Sequence, residues 1–304
     1  TSRDCDHDGL LDECESAPDA SLDCDEDGVI DTCDAFRQRL VSDPTSYTLG
    51  KTIAFEEDLL MVGDSEYASY AGVVHTYERD TNGWFHSDDL VSPEPSLYTS
   101  FGFAIAGSRQ RLLVLASDSQ DGDYVHGRVF AYRRSRQAWL QEDFPNLTSE
   151  ADSIRVITDV IMESDLAAVK TSCSGGPQNC NEDVVVYMFR RVGSQWRPDG
   201  IAPSEGSFDG RGFAFDLSGR FLAVTAKGKY PAAEGANGSL FVLEKQGVQW
   251  VGTDQLGIGV DEATSISFED TLIVVAGRTS TYSKWGTETK GNGVSFFRKR
   301  CGWN

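Results

Sequence analysis

GRVFAYRRSRQAW, residues 127–139, is an alternating apolar run that ends in a basic turn and a tryptophan, and the chain contains five such runs. The other copies are GVVHTYERDTNGW (72–84), DVVVYMFRRVGSQW (183–196), GSLFVLEKQGVQW (238–250) and GVSFFRKRCGW (293–303). Their tryptophans, Trp84, Trp139, Trp196, Trp250 and Trp303, lie 55, 57, 54 and 53 residues apart. Upstream of each copy sits a second apolar run: DLLMVGDS, RLLVLASD, DLAAVKTS, RFLAVTAK and TLIVVAGR. Before those comes a third: KTIAFEE, FGFAIAGS, RVITDVIME, GFAFDLSG and TSISFED. Short β-branched and aromatic runs bounded by Gly, Asp and Ser turns read as antiparallel strands, and no segment of useful length carries a helical period. Three or four such strands repeated at about 40–50 residues make a propeller blade, and the wider spacing here allows for long loops. The expected fold is all-β, a five-bladed β-propeller.

A ring needs closing. FRQRLVSDPTSYTLG (36–50) parallels WFHSDDLVSPEPSLYTSFG (84–102), with Leu40-Val41-Ser42 matching Leu90-Val91-Ser92. The amino-terminal strand is therefore expected to complete the last blade and leave no open edge. Cys33 precedes that strand and Cys301 ends its would-be neighbour, so a disulfide between them is placed to lock the closure. The alternative is part of a seven-bladed ring. The repeats resemble FG-GAP repeats, the blades of the integrin α-chain propeller: Phe101-Gly102 carries the dipeptide of that name, while Leu49-Gly50 and Gly212-Phe213 depart from it. The resemblance covers residues 36–304 and implies a role in adhesion or assembly.

The first 34 residues are of another kind. They hold 13 Asp and Glu against one Arg, which is −12 of the formal −21 and leaves −9 for the other 270 residues. That balance argues against binding a phosphate backbone and makes cations the natural partner. DCDHDGLLDECE (4–15) and DCDEDGVIDTCD (23–34) place oxygens at the loop positions 1, 3, 5, 7, 9 and 12 that calcium takes in EF-hands. The first set is Asp4, Asp6, Asp8, the Leu10 carbonyl, Asp12 and Glu15. The second is Asp23, Asp25, Asp27, the Val29 carbonyl, Asp31 and Asp34. With three residues before the first loop and a turn-rich gap between the two, EF-hand helices are not expected. The segment resembles thrombospondin type 3 repeats, D-x-D-x-D-G-x-x-D-x-C-D. That resemblance implies bound Ca2+ in a nearly core-less module at residues 1–35, joined to the propeller at 36–304. In that family a cysteine late in one repeat commonly pairs with one early in the next, which implies Cys14 with Cys24; the sequence alone does not fix the connectivity. A module with so little to bury is expected to fold only with metal and cystines in place.

Seven cysteines at structural-looking spacings point to an oxidising, extracellular setting. Two sequons, Asn146-Leu-Thr and Asn237-Gly-Ser, would be usable in a secreting eukaryote. Cys173 and Cys180 bracket SGGPQN between the second and third strands of blade three and read as a local disulfide, which leaves Cys5 over. The equivalent loops elsewhere carry Tyr67, Tyr70, Tyr124, Tyr230, Tyr282 and Trp285. Lying on one face of a propeller, these rings form a candidate platform for a glycan or a protein; the plainer reading is that each packs on its own hairpin. Asp118, Asp121 and Asp123 read as an acidic turn rather than a second calcium loop, and the four histidines show no zinc spacing.

A propeller glycosidase needs a pair of carboxylates. Asp159 and Asp216 are the few acids near the innermost strands, Asp216 is assigned to a turn, and no other catalytic motif is present. The sequence thus leads us to expect an extracellular, calcium-stabilised, non-catalytic adhesion or assembly protein. Its expected partner is a protein or glycan at the cell surface or matrix, or another copy of itself, with neither nucleic acid nor membrane insertion. A lectin-like glycan binder, or less readily a glycoside hydrolase, is the alternative.

Overall fold

The computed structural model describes residues 47–298 apart from 81–82, 95–98, 119–125, 137, 148–154, 174–183, 203–213, 227–237, 248, 259–261, 270 and 283–287. Blade one contains β1 (Thr52–Glu56), β2 (Leu59–Asp64), β3 (Val73–Asp80) and β4 (Gly83–Val91). Blade two contains β5 (Phe101–Ser108), β6 (Arg111–Asp118), β7 (His126–Ser135) and β8 (Ala138–Glu142). Blade three contains β9 (Arg155–Glu163), β10 (Leu166–Cys173), β11 (Val184–Val192) and β12 (Gln195–Ile201). Blade four contains β13 (Phe215–Ser218), β14 (Phe221–Ala226), β15 (Ser239–Gln246) and β16 (Gln249–Gly257). Blade five shows β17 (Glu262–Glu269), β18 (Leu272–Tyr282) and β19 (Glu288–Arg298). Each sheet is an antiparallel meander in sequence order, so the five sheets form the expected five-bladed propeller. The closing strand at 36–42, both calcium loops, Cys33 and Cys301 lie outside the described residues.

The second strand of each blade explains why these sequences stack. Leu112, Leu113, Val114 and Leu115 of β6 are all fully buried, although side chains on a strand alternate between faces. Both faces of a radial sheet meet a neighbour, so a continuous apolar run is what the position requires. Leu112 and Val114 pack with Leu59 and Met61 of blade one. Leu113 and Leu115 pack instead with Ala167 and Val169 of blade three. The alternation continues around the ring: Leu166 and Ala168 meet Leu222 and Val224, and Ala223 meets Ile273 and Val275.

The tryptophan copies have a common geometry as well. Five residues before each tryptophan stands a base: Arg79, Arg134, Arg191, Lys245 and Arg298. The first four are directly cross-strand from their tryptophans, Arg79 to Trp84, Arg134 to Trp139, Arg191 to Trp196 and Lys245 to Trp250. Each of these four donates its backbone N–H to the inner hairpin of its own blade, at Asp58, Gln110, Asp165 and Arg220 carbonyls, over 2.8–2.9 Å. Three of the side chains then reach back to an acid of the preceding blade: Arg134 to Glu78, Arg191 to Glu142 and Lys245 to Asp199. The base therefore ties hairpin to hairpin within a blade and blade to blade at the rim.

Candidate functional site

The innermost strands decide what faces the axis of a propeller, and blades three and four each place an aspartate there. Asp159 is at the middle of β9 and Asp216 is the second residue of β13. Asp216 was expected in a turn; it is a strand residue paired with Ala223. Each carboxylate accepts the N–H of the residue that follows it, from Val160 and from Leu217, both at 2.9 Å. Asp216 Oδ2 also accepts the N–H of Phe268 in blade five at 2.8 Å.

Their electrostatic surroundings differ. Burial raises the carboxyl of Asp159 above the usual range, but Lys170 Nζ stands 3.7 Å from Oδ2 and pulls the other way. The side chain keeps 42% of its surface open, so the carboxyl is crowded by protein on most sides without being sealed from solvent. Burial raises Asp216 as well, its two backbone donors oppose that, and the negative charge of Glu163 adds to the rise. Glu163, the last residue of β9, also accepts the N–H of Gly219 at 2.5 Å. One carboxyl thus has a cation beside it and the other an anion, an arrangement that separates the proton affinities of two acids.

At the rim of blade one the chain brings together a group that sequence spacing does not reveal. His75 Nδ1 of β3 and His86 Nε2 of β4 each lie 2.6 Å from the same oxygen of Asp89, so both rings donate to one carboxylate oxygen. Burial works to raise Asp89, but hydrogen bonds from His86 and His75 outweigh it and hold the carboxyl below its ordinary value. The two rings stack edge-on at 6.0 Å, Tyr77 packs on His86 at 5.5 Å, and Tyr67 meets His75 at 5.9 Å. Burial, with the Asp89 charge behind it, raises the Tyr77 phenol. No zinc-ligand spacing in the sequence announces this pair; only the register of two strands discloses it.

Of the expected aromatic platform, Tyr67 and Tyr70 belong to one helical turn, Tyr67–Tyr70, between β2 and β3, and both are exposed. Ala68, Ser69 and Tyr70 adopt positive φ of 50°, 61° and 69° there. The strained turn is pinned to blade two, where Ser100 and Phe101 N–H groups and the Thr99 hydroxyl donate to the carbonyls of Tyr70 and Ala71. Tyr282 ends β18, and Tyr124, Tyr230 and Trp285 lie outside the described residues. Cys173 ends β10, while Cys14, Cys24 and Cys180 are also outside them.

No family model matches the chain, and no curated protein does. Among solved structures, it is similar to an endo-arabinase from Bacteroides thetaiotaomicron at 8% identity and a TM-score of 0.38, over 81% of this chain and 91% of that one. A GH43 endo-arabinanase from Bacillus licheniformis is similar at 11% identity and a TM-score of 0.40, over 82% and 93%. The periplasmic gluconolactonase of Pseudomonas aeruginosa is similar at 12% identity and a TM-score of 0.41, over 85% and 90%. These are distant likenesses of architecture. These three are enzymes by name, against the sequence-based expectation of a non-catalytic adhesion or assembly protein, which is withdrawn. Among the described residues no helix is long and apolar enough to cross a membrane.

Proposed function

We propose that the propeller is a carbohydrate-directed hydrolase that works through carboxyls of its innermost strands. The carrying observation is the pair Asp159 and Asp216, set on adjoining blades with opposite charges beside them. Cleaving a glycosidic bond takes one carboxylic acid to protonate the leaving oxygen and one carboxylate to act as base or nucleophile. Burial raises both carboxyls; Glu163 adds to the rise at Asp216 and Lys170 opposes it at Asp159, so Asp216 is the candidate proton donor and Asp159 the candidate base or nucleophile. The names of the arabinan-cleaving enzymes among the similar solved structures suggest arabinan as a first substrate to try.

The test is turnover of a panel of aryl glycosides and polysaccharides by the full chain, with Asp216→Asn and Asp159→Asn alongside. Activity that falls by about 10²–10⁴ in both variants supports the assignment, the range expected for loss of a positioned acid or base. Activity retained by both variants, or none from the parent chain on any glycoside, refutes it.

We further propose that residues 4–34 hold Ca2+ in the manner their resemblance to thrombospondin type 3 repeats implies, with the protein working outside the cell. The support is the twice-repeated oxygen spacing from Asp4 to Glu15 and from Asp23 to Asp34. Limited proteolysis with and without chelator tests it.

A further inference from the structure

We propose that His75, His86 and Asp89 form a binding site for a divalent transition metal of the zinc class, separate from the innermost-strand carboxyls. Two imidazoles and one carboxylate are a donor set for such an ion, and histidine with carboxylate suits zinc better than calcium. Their donor atoms all lie within 4.8 Å of one another. An ion with bonds of about 2.0–2.2 Å fits after small rotations of the side chains of His86 and Asp89, each of which is 48% exposed.

A departure from regular pairing makes the group. His86 and Asp89 are three apart on one strand, and residues three apart on a regular strand point to opposite faces. Between Thr76 and Tyr77 the register slips: Thr76 pairs with Asp88 and Tyr77 with His86, which leaves Ser87 as an extra residue. This bulge puts His86 and Asp89 on the same face as their partners Tyr77 and His75. It is fixed by its own hydrogen bonds. Ser87 Oγ donates to the Thr76 carbonyl at 3.1 Å, the two hydroxyls meet at 2.9 Å, and Thr76 Oγ1 donates to the Asp88 carbonyl at 3.1 Å. Thr76 itself is buried.

The rest of the site also suits an ion. His75 is 15% exposed and fixed beneath Tyr67 and Tyr77, whereas the outer two ligands face water. Three protein ligands on an open rim leave coordination positions for water or for a ligand atom, the pattern of a non-structural zinc site. Loading the ion requires each ring to present a lone pair where it now presents N–H. The proton passes to the other ring nitrogen, and the Asp89 carboxylate turns from hydrogen-bond acceptor to ligand.

The experiment is a Zn2+ titration of the full chain by calorimetry in excess Ca2+, which occupies the acidic amino-terminal loops. Co2+ is then substituted and its visible spectrum recorded. One zinc equivalent in the parent chain, weakened more than about tenfold in both His86→Ala and Asp89→Asn, is the expected result; even supporting groups of a metal site count for that much. Both positions are half-exposed, so the variants keep their fold, which melting without zinc verifies. Should the parent chain take up no zinc in the presence of calcium, the proposal is overturned. Unchanged affinity and an unchanged Co2+ spectrum in both variants overturn it equally, and leave the trio as a carboxylate-bridged imidazole pair.

Discussion

Arg191 of blade three grips Glu142 of blade two with two parallel bonds, Nε to Oε2 at 3.1 Å and Nη2 to Oε1 at 2.7 Å. Both side chains are nearly buried, at 11% and 7% exposure, and Arg133 Nε adds a third contact to Oε1 at 3.4 Å. A planar fork matched to a carboxylate is the strongest form such a contact takes. Removing Arg191 leaves the Glu142 carboxylate desolvated, with only the longer Arg133 contact to offset it.

Arg191→Met is therefore expected to destabilise the propeller by about 3 kcal/mol, the scale for stranding one charge of a buried pair. Arg191→Lys keeps the charge but not the fork, and should fall in between. Urea unfolding of both variants measures this. Equal midpoints for the parent and Arg191→Met would show that the rim contact contributes little.

Gly72 is irreplaceable for two reasons. Its φ of +76° is one that L side chains rarely adopt, and a Cβ there would stand 2.2 Å from the Phe101 carbonyl oxygen. Gly72→Ala should cost about 3 kcal/mol or more, combining backbone strain with a clash against main chain. Thermal melts give the readout, and a variant within error of the parent speaks against it.

Asp159 gives stability a pH dependence of known sign. Its carboxyl is raised in the folded chain relative to the ordinary value of 3.8. A raised carboxyl binds its proton more tightly when folded, so its ionisation opposes folding. The cost is absent below the unfolded value and sets in as pH climbs above it. Asp159→Asn should accordingly be more stable than the parent at neutral pH and no more stable near pH 3. Stability curves that keep a constant gap across that window count against the assignment.

Deleting Ser87 removes the bulge without touching a ligand. It leaves His86 and Asp89 two apart, so regular pairing keeps both on the face of their partners Tyr77 and His75. Zinc uptake should therefore persist in the deletion variant, because the face and not the bulge itself gathers the ligands. Loss of zinc binding as complete as in His86→Ala, from a deletion variant that still folds, counts against this placement.

Chelation bears on the acidic segment. Adding a calcium chelator should expose residues 1–34 to protease while the propeller survives, because so acidic and apolar-poor a stretch has little else to hold it. Cleavage there at the same rate with and without chelator argues for a segment independent of calcium.

The blade count was legible because Trp84, Trp139, Trp196 and Trp250 each stand at the second position of an outermost strand. Sheets that each fold from consecutive residues write their period into the chain, and both-face burial writes the apolar run of every second strand. The base five residues before each tryptophan was equally visible as a repeat. Its purpose was not, since Glu78, Glu142 and Asp199, its partners, belong to another blade and follow no fixed spacing from it.

Local pattern, then, determined the strands, the five blades and the oxygen spacing of the acidic loops, for these depend on contacts between near neighbours along the chain. Tertiary structure alone decided which charges meet. It took the stacking of blades to set Asp216 beside Glu163 and the Phe268 amide, and the extra Ser87 to turn His86 and Asp89 toward His75. Alternation by two residues is a rule that sequence states; where a strand slips by one, only the hydrogen-bonded partner strand records it.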